Sequence, residues 1–185
     1  MKKTLLIILC LLLVFTFAAC GGTSDESAVP SGAEDGTENQ AVEGDVFTFE
    51  TETIGDEPFT SEDLKDAKLV IVNLWEPWCG PCVGEMPAIQ QIYDEYKDKG
   101  VMVLGVFATL DQTEDALKII DENGITYPIL KMSREFTALQ TQYVPTTVFM
   151  TGEGKLLSSE PVIGAQSYED WEAMVKTYLE EVKND

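Results

Sequence analysis

Trp75-Glu76-Pro77-Trp78-Cys79-Gly80-Pro81-Cys82-Val83-Gly84-Glu85-Met86-Pro87 decides how this chain is read. Two cysteines stand three positions apart, where an apolar run gives way to an amphipathic segment. A thiol at a helix start sits beside unpaired N–H groups and the positive end of the helix dipole. Both favour the thiolate, the form that attacks disulfides. The other cysteine is one helical turn on, close enough to close a ring. This spacing at this junction suits a dithiol that opens and closes during turnover. One half of a zinc site is the competing reading, and a second ligand pair is missing.

The elements on either side alternate. Lys68–Trp75 is a continuous apolar run, as a buried strand requires. The helix after Cys79 is predicted to reach about Lys97, with Met86, Ile89, Ile92, Tyr93 and Tyr96 on one face. Pro87 lacks an N–H and is expected to kink it. Val101–Phe107 is a second buried strand. Thr113–Glu122 reads as a helix with Ala116, Leu117, Ile119 and Ile120 inward, and Asn123-Gly124 stops it. Ile129-Leu130 is a short edge strand and Arg134–Thr141 a weak helix. Thr146–Met150 and Lys155–Leu157 flank Gly152-Glu153-Gly154, a hairpin signal. Ser167 caps a last helix carrying Trp171, Met174, Val175, Tyr178, Leu179 and Val182 at helical spacing. Upstream, Val46–Thr51 alternates as a strand, and Ser61 is a cap signal before a short helical segment. The order gives an α/β class: a mixed central sheet flanked by helices, with an N-terminal strand extension.

The other two of the four cysteines bear on location. Cys10 lies inside the apolar run 4–19, which follows Lys2 and Lys3 and ends on Ala18-Ala19. A basic start, a short apolar core and small residues read as a secretory signal over 1–19. The run is shorter than the roughly 20 residues of a spanning helix. Cys20 follows the alanines directly and precedes Gly21-Gly22. This resembles the lipobox of bacterial lipoproteins, whose cysteine is lipidated, although Phe17 stands where Leu is usual. Ordinary cleavage and an uncleaved anchor are the alternatives. On the lipoprotein reading Cys10 is removed and Cys20 is lipidated, which leaves only Cys79 and Cys82 in an oxidising compartment.

Losing 1–19 leaves 166 of the 185 residues, one ordinary domain and a tail. Residues 20–45 are rich in Gly, Ser, Thr, Glu and Asp and read as a disordered spacer, with a reach of about 25–30 Å. The domain is expected over 46–185. A formal charge of −21 argues against nucleic acid, whose phosphates would repel it. It argues equally against adsorption to anionic lipid. The chain has no His, which excludes c-type haem attachment and His-based catalysis or metal binding.

Trp-Cys-Gly-Pro-Cys after a buried strand, with Val144-Pro145-Thr146 before the hairpin, resembles the thioredoxin fold. Trp-Cys-x-x-Cys-x-x-Glu-x-Pro, the lipoprotein-like start and the extra Leu110–Gly124 segment are similar to the TlpA/ResA-like family of tethered extracytoplasmic thiol–disulfide oxidoreductases. The resemblance covers about Val46 to the C-terminus. It implies a cis Val144–Pro145 bond facing the dithiol, with the Val144 backbone open to an extended substrate. On residue pattern alone, Pro145 reads as an ordinary proline opening a strand, and the domain context reverses that. Cys79, nearer the helix start, would attack, and the more buried Cys82 would resolve. Trp78, Gly80 and Pro81 would shape the contact surface, and Glu76 and Pro77 would tune the loop.

Glu85 lies one turn beyond Cys82 on the same side of the helix. By itself it reads as a solvated helix residue. The resemblance makes it a candidate to take the proton from Cys82 or to tune both thiol pKa values: thioredoxin carries a buried Asp at the position of Asn73, Asn cannot ionise, and that job passes to Glu85, to water or to substrate. No cofactor is expected beyond the Cys79–Cys82 disulfide. Family resemblance implies electrons from an integral-membrane thiol carrier. It also implies clients such as apocytochromes c, methionine sulfoxide reductases or other exported dithiol proteins, and a monomer is expected. Gly80-Pro81 matches the dipeptide of thioredoxin, a reductant near about −270 mV, which favours reduction. A disulfide oxidase or isomerase, and a non-catalytic binding lipoprotein of the same fold, are the other readings.

Overall fold

Leu69–Leu74 (β3) is buried at all six positions and forms the middle of the sheet. It pairs in parallel with Val101–Phe107 (β4) and antiparallel with Thr146–Met150 (β6). The computed structural model describes residues 46–184. Before β3 come Glu50–Glu52 (β1) and Pro58–Thr60 (β2). Between the central strands lie Gly80–Tyr96 (α1), Thr113–Glu122 (α2) and Ile129–Lys131 (β5). Val162–Ile163 (β7) and Tyr168–Glu181 (α3) complete the order. The main sheet runs β5-β4-β3-β6-β7, and β1 and β2 form a separate antiparallel pair. The anticipated segments 1–19 and 20–45, with Cys10 and Cys20, lie outside the described residues. No described helix is long and apolar enough to cross a membrane.

Strand parity divides the core. Side chains alternate across a sheet, so Leu69, Ile71 and Trp75 pack with α1 and α3 through Met86, Ile89, Ile92, Trp171 and Val175. Val70, Val72 and Leu74 face the other way, onto Phe49, Leu64 and Phe136. Phe49 and Phe136 lie 4.5 Å apart between ring centroids. The same parity puts Asn73 on the α1 side, among apolar neighbours, where a polar side chain needs partners.

The α/β class, the mixed sheet and the N-terminal extension agree with the sequence. Several details differ. Leu117 is 46% exposed, because α2 packs along a narrower stripe centred on Ala116. Thr60, not Ser61, caps the 3-10 turn Ser61–Leu64, accepting from Glu62 N while Asp63 reaches back to the Thr60 N–H. The expected strand at Lys155–Leu157 shrinks to a bridge between Met150 and Leu156. The edge partner of β6 is β7 instead, two residues too short to carry a periodic signal. Arg134–Thr141 narrows to a 3-10 turn, Phe136–Leu139. The first strand begins at Glu50, because the Phe47 N–H goes to the Gly154 carbonyl and not to a strand neighbour. As the sequence indicates, Pro87 lies inside α1, which extends from Gly80 to Tyr96.

Gly154 carries that contact. Its φ is +90°, and a Cβ there would sit 2.2 Å from the Phe47 carbonyl oxygen. Gly154→Ala is therefore expected to destabilise the fold by about 2 kcal/mol or more, from left-handed strain and the clash together. Chemical unfolding of the two proteins checks this, and equal stabilities would count against the packing of Phe47 on the turn.

Candidate active site

The site forms where β3 ends. Trp75 leaves the sheet with its N–H on the Val106 carbonyl at 2.9 Å, and the chain turns through Glu76-Pro77-Trp78 into α1. The turn closes when the Cys79 N–H meets the Glu76 carbonyl at 3.0 Å. Cys79 is the residue that caps α1, and Pro81 lies in the first turn, where a missing N–H costs nothing. The Cys79 sulfur accepts from the Cys82 N–H at 3.2 Å, so a backbone donor already points at the atom that would carry thiolate charge. Cys79 and Cys82 are joined as a disulfide.

The two sulfurs differ in surroundings. Cys82 is wholly buried, and Cys79 lies nearer the surface, beside exposed Gly80 and Pro81. Trp78 is 63% exposed next to it. The Val144–Pro145 bond is cis. The Val144 carbonyl oxygen is 3.6 Å from Cys79 Sγ. Thr146 steadies this loop by donating from Oγ1 to the Tyr143 carbonyl at 2.6 Å. Trp78, Cys79, Gly80, Pro81, Val144 and Pro145 are thus drawn from two segments about 65 residues apart.

Behind Cys82 lies a carboxyl group. Glu85 is 3% exposed. Its Oε1 accepts from Asn73 Nδ2 at 3.0 Å, and its Oε2 accepts from the Gln166 N–H at 3.0 Å. Asn73 also donates to Thr147 Oγ1 at 3.0 Å. Burial pushes the Glu85 carboxyl up from 4.5 to about 7, and the bonds from Gln166 and Asn73 offset only part of that. The Trp171 indole favours the charged form too. It does so without hydrogen-bond geometry, since its Nε1 has no partner among the described residues. Tyr127 is buried nearby with an unpartnered hydroxyl, and burial together with the Glu85 charge holds it in its neutral form. The solvated-helix reading of Glu85 is therefore wrong for this chain.

The sequence pointed to Cys79, Cys82, Glu85, Trp78, Val144 and Pro145, and the fold brings them together. It missed Gln166 and Thr147, which hold Glu85 and Asn73. Neither carries a local signal, because each acts through a contact across more than seventy positions. Among the described residues, no three His, Cys, Asp or Glu side chains gather as metal ligands. Cys20 is outside the described residues.

Comparison with known proteins fits this geometry. The AhpC/TSA family profile matches residues 42–158. The thiol-disulfide oxidoreductase ResA of Bacillus thuringiensis (strain Al Hakam) is 33% identical over 118 residues, covering 62% of this chain and 65% of the relative. ResA of Oceanobacillus iheyensis is 37% identical over 94 residues, covering 49% and 48%. The thioredoxin-like protein YneN of Bacillus subtilis is 32% identical over 108 residues, covering 57% and 63%. The chain spans less than two thirds of the length of these curated relatives. A thiol:disulfide interchange protein of the thioredoxin family from Chlorobium tepidum superposes with a TM-score of 0.64 at 26% identity, covering 72% of this chain and 94% of that one. The fold is thioredoxin-like.

A raised carboxyl pKa has a stability consequence with a definite sign. Between about pH 4.5 and 7 the folded chain keeps a proton on Glu85 that the unfolded chain has released. Stability from this group is therefore full below about 4.5 and is lost as pH rises through about 7. The loss is about 3 kcal/mol. Urea unfolding at pH 4.5 and pH 8 is expected to show the wild type losing that much more than E85Q. Parallel pH profiles for the two proteins would contradict the raised pKa.

Proposed function

The chain belongs to the AhpC/TSA family, and from that premise we propose that it is a thiol–disulfide oxidoreductase, tethered outside the cell membrane, that reduces disulfides of exported proteins. The observation that carries this reading is the Cys79–Cys82 disulfide at the start of α1, with the buried Glu85 carboxyl one turn behind it. In the reduced protein the Cys79 thiolate attacks one sulfur of a substrate disulfide. A new S–S bond forms, and the other substrate sulfur leaves as thiolate and takes a proton. Cys82 gives its proton to the Glu85 carboxylate and attacks Cys79 Sγ. The mixed disulfide breaks, and the second substrate sulfur leaves and is protonated. Two electrons have then passed to the substrate, and the Cys79–Cys82 disulfide is restored.

Binding is local. The Val144 N–H has no partner among the described residues, and the Val144 carbonyl lies at the disulfide, so an extended substrate strand can pair there. Trp78 supplies an exposed apolar surface beside it. The reaction uses no cofactor beyond the disulfide itself. Electrons come from an integral-membrane thiol carrier. Clients are exported dithiol proteins, of which apocytochromes c and methionine sulfoxide reductases are the examples that the family resemblance supplies. Lipid on Cys20 holds the chain at the membrane, and the acidic spacer lets the site turn outward as a monomer.

Two measurements test this. The Cys79–Cys82 couple is expected to titrate near thioredoxin's potential, about −270 mV, and a value near that of the oxidase DsbA, about −120 mV, would reverse the direction. Cys82→Ala, expressed in the host, is expected to hold exported proteins covalently on Cys79. Recovery of no mixed disulfide from that strain would overturn the exchange mechanism.

A further inference from the structure

Glu76 commits its whole side chain to backbone. It is 6% exposed, and its Oε1 and Oε2 accept from the Ala108 and Thr109 N–H groups at 3.0 and 3.1 Å. No cation pairs with it among the described residues. Burying a carboxylate is costly unless hydrogen bonds replace water, and two charge-assisted bonds to consecutive N–H groups do so here. The location matters more than the strength. Ala108 and Thr109 are the first residues after β4, where the chain leaves for Leu110–Gln112 and α2. Glu76 stands two residues past β3, and the Trp75 N–H to Val106 carbonyl bond is the last backbone link between these strands on that side. The side chain thus continues the β3–β4 connection beyond the point where strand pairing ends. Its own carbonyl takes the Cys79 N–H.

We propose that Glu76 is a positioning residue for Cys79: its grip on Ala108 and Thr109 fixes the Glu76–Cys79 turn, which keeps Cys79 Sγ in line with the Cys82 N–H. The inference rests on the reading of Cys79 as the attacking thiol. Without the grip, the Ala108 and Thr109 N–H groups lose their acceptors and pull toward water. The turn then loosens from the end of β4, and the Cys79 thiolate loses part of its contact with the Cys82 N–H.

The test reads Cys79 without any disulfide substrate. Full-length reduced protein is alkylated with iodoacetamide across pH, and the Cys79 peptide is followed by mass spectrometry. Glu85 is common to every variant and shifts all profiles alike. E76A is expected to slow alkylation at pH 7 about three- to tenfold, an upward move of about half to one unit in the thiol pKa. E76Q keeps one acceptor oxygen and is expected to fall between E76A and the wild type. Gln90→Ala removes a comparable clamp, between Gln90 Oε1 and the Thr126 N–H at 2.8 Å, and is expected to cost stability without moving the Cys79 profile.

An E76A profile that coincides with the wild type overturns the proposal, whatever stability is lost. A downward move overturns it as well, because the carboxylate would then act on Cys79 by charge. An equal shift in Gln90→Ala does the same. If E76A fails to fold, E76Q decides, and an unshifted profile overturns the proposal. A chain that shows the shift and yet reduces no disulfide keeps this inference and loses the function proposed above.

Discussion

The hydrogen bonds that Glu85 receives from Asn73 and Gln166 are the constraint on which the rest of the structure depends. They join α1 to the central strand and to the segment that leads into α3. Through Asn73 and Thr147 the chain of contacts extends to β6, whose first residue follows the cis Val144–Pro145 bond. One carboxyl thus links the helix that carries the cysteines to both strands beside it. A buried, partly satisfied acid is costly, and the cost shows in a carboxyl held near pH 7. An acid poised near neutrality can take a proton and return it.

The two cysteines owe their different surroundings to position on α1. Cys79 caps the helix and faces the Cys82 N–H, which favours charge on its sulfur. Cys82 is wholly buried, on the same side of the helix as Glu85, and an apolar setting disfavours a free thiolate there. Glu85 stands on α1 one turn from Cys82, and Asn73 on β3 donates to both Glu85 and Thr147.

Much of the fold was legible because its longest elements carry strong periodic signals. Six buried residues in a row mark β3, and Val101–Phe107 and Thr113–Glu122 match the observed bounds of β4 and α2. The same logic fails where an element is short. β7 is two residues long and is defined only by its pairing with β6, so no local pattern could reveal it. Leu117 fits the helical period, yet it faces outward because α2 is covered along a stripe narrower than its apolar sequence. At the site, the cysteines were readable as a motif, whereas Pro145 took on a role only through the family resemblance. Glu85 was readable only through family resemblance, since its burial depends on Gln166 and Trp171, far along the chain. The carboxylate of Glu76 looked like a loop residue because its two partners follow a different strand.

The central claim is that Glu85 exchanges a proton with the Cys79–Cys82 pair, and its titration tests that most directly. Carbon-13 NMR of the Glu85 carboxyl, recorded across pH in the oxidised and the reduced protein, follows the group itself. The account predicts a midpoint near 7 in the oxidised protein and a different midpoint once the pair is reduced. A midpoint near 4.5 that ignores the redox state would contradict it.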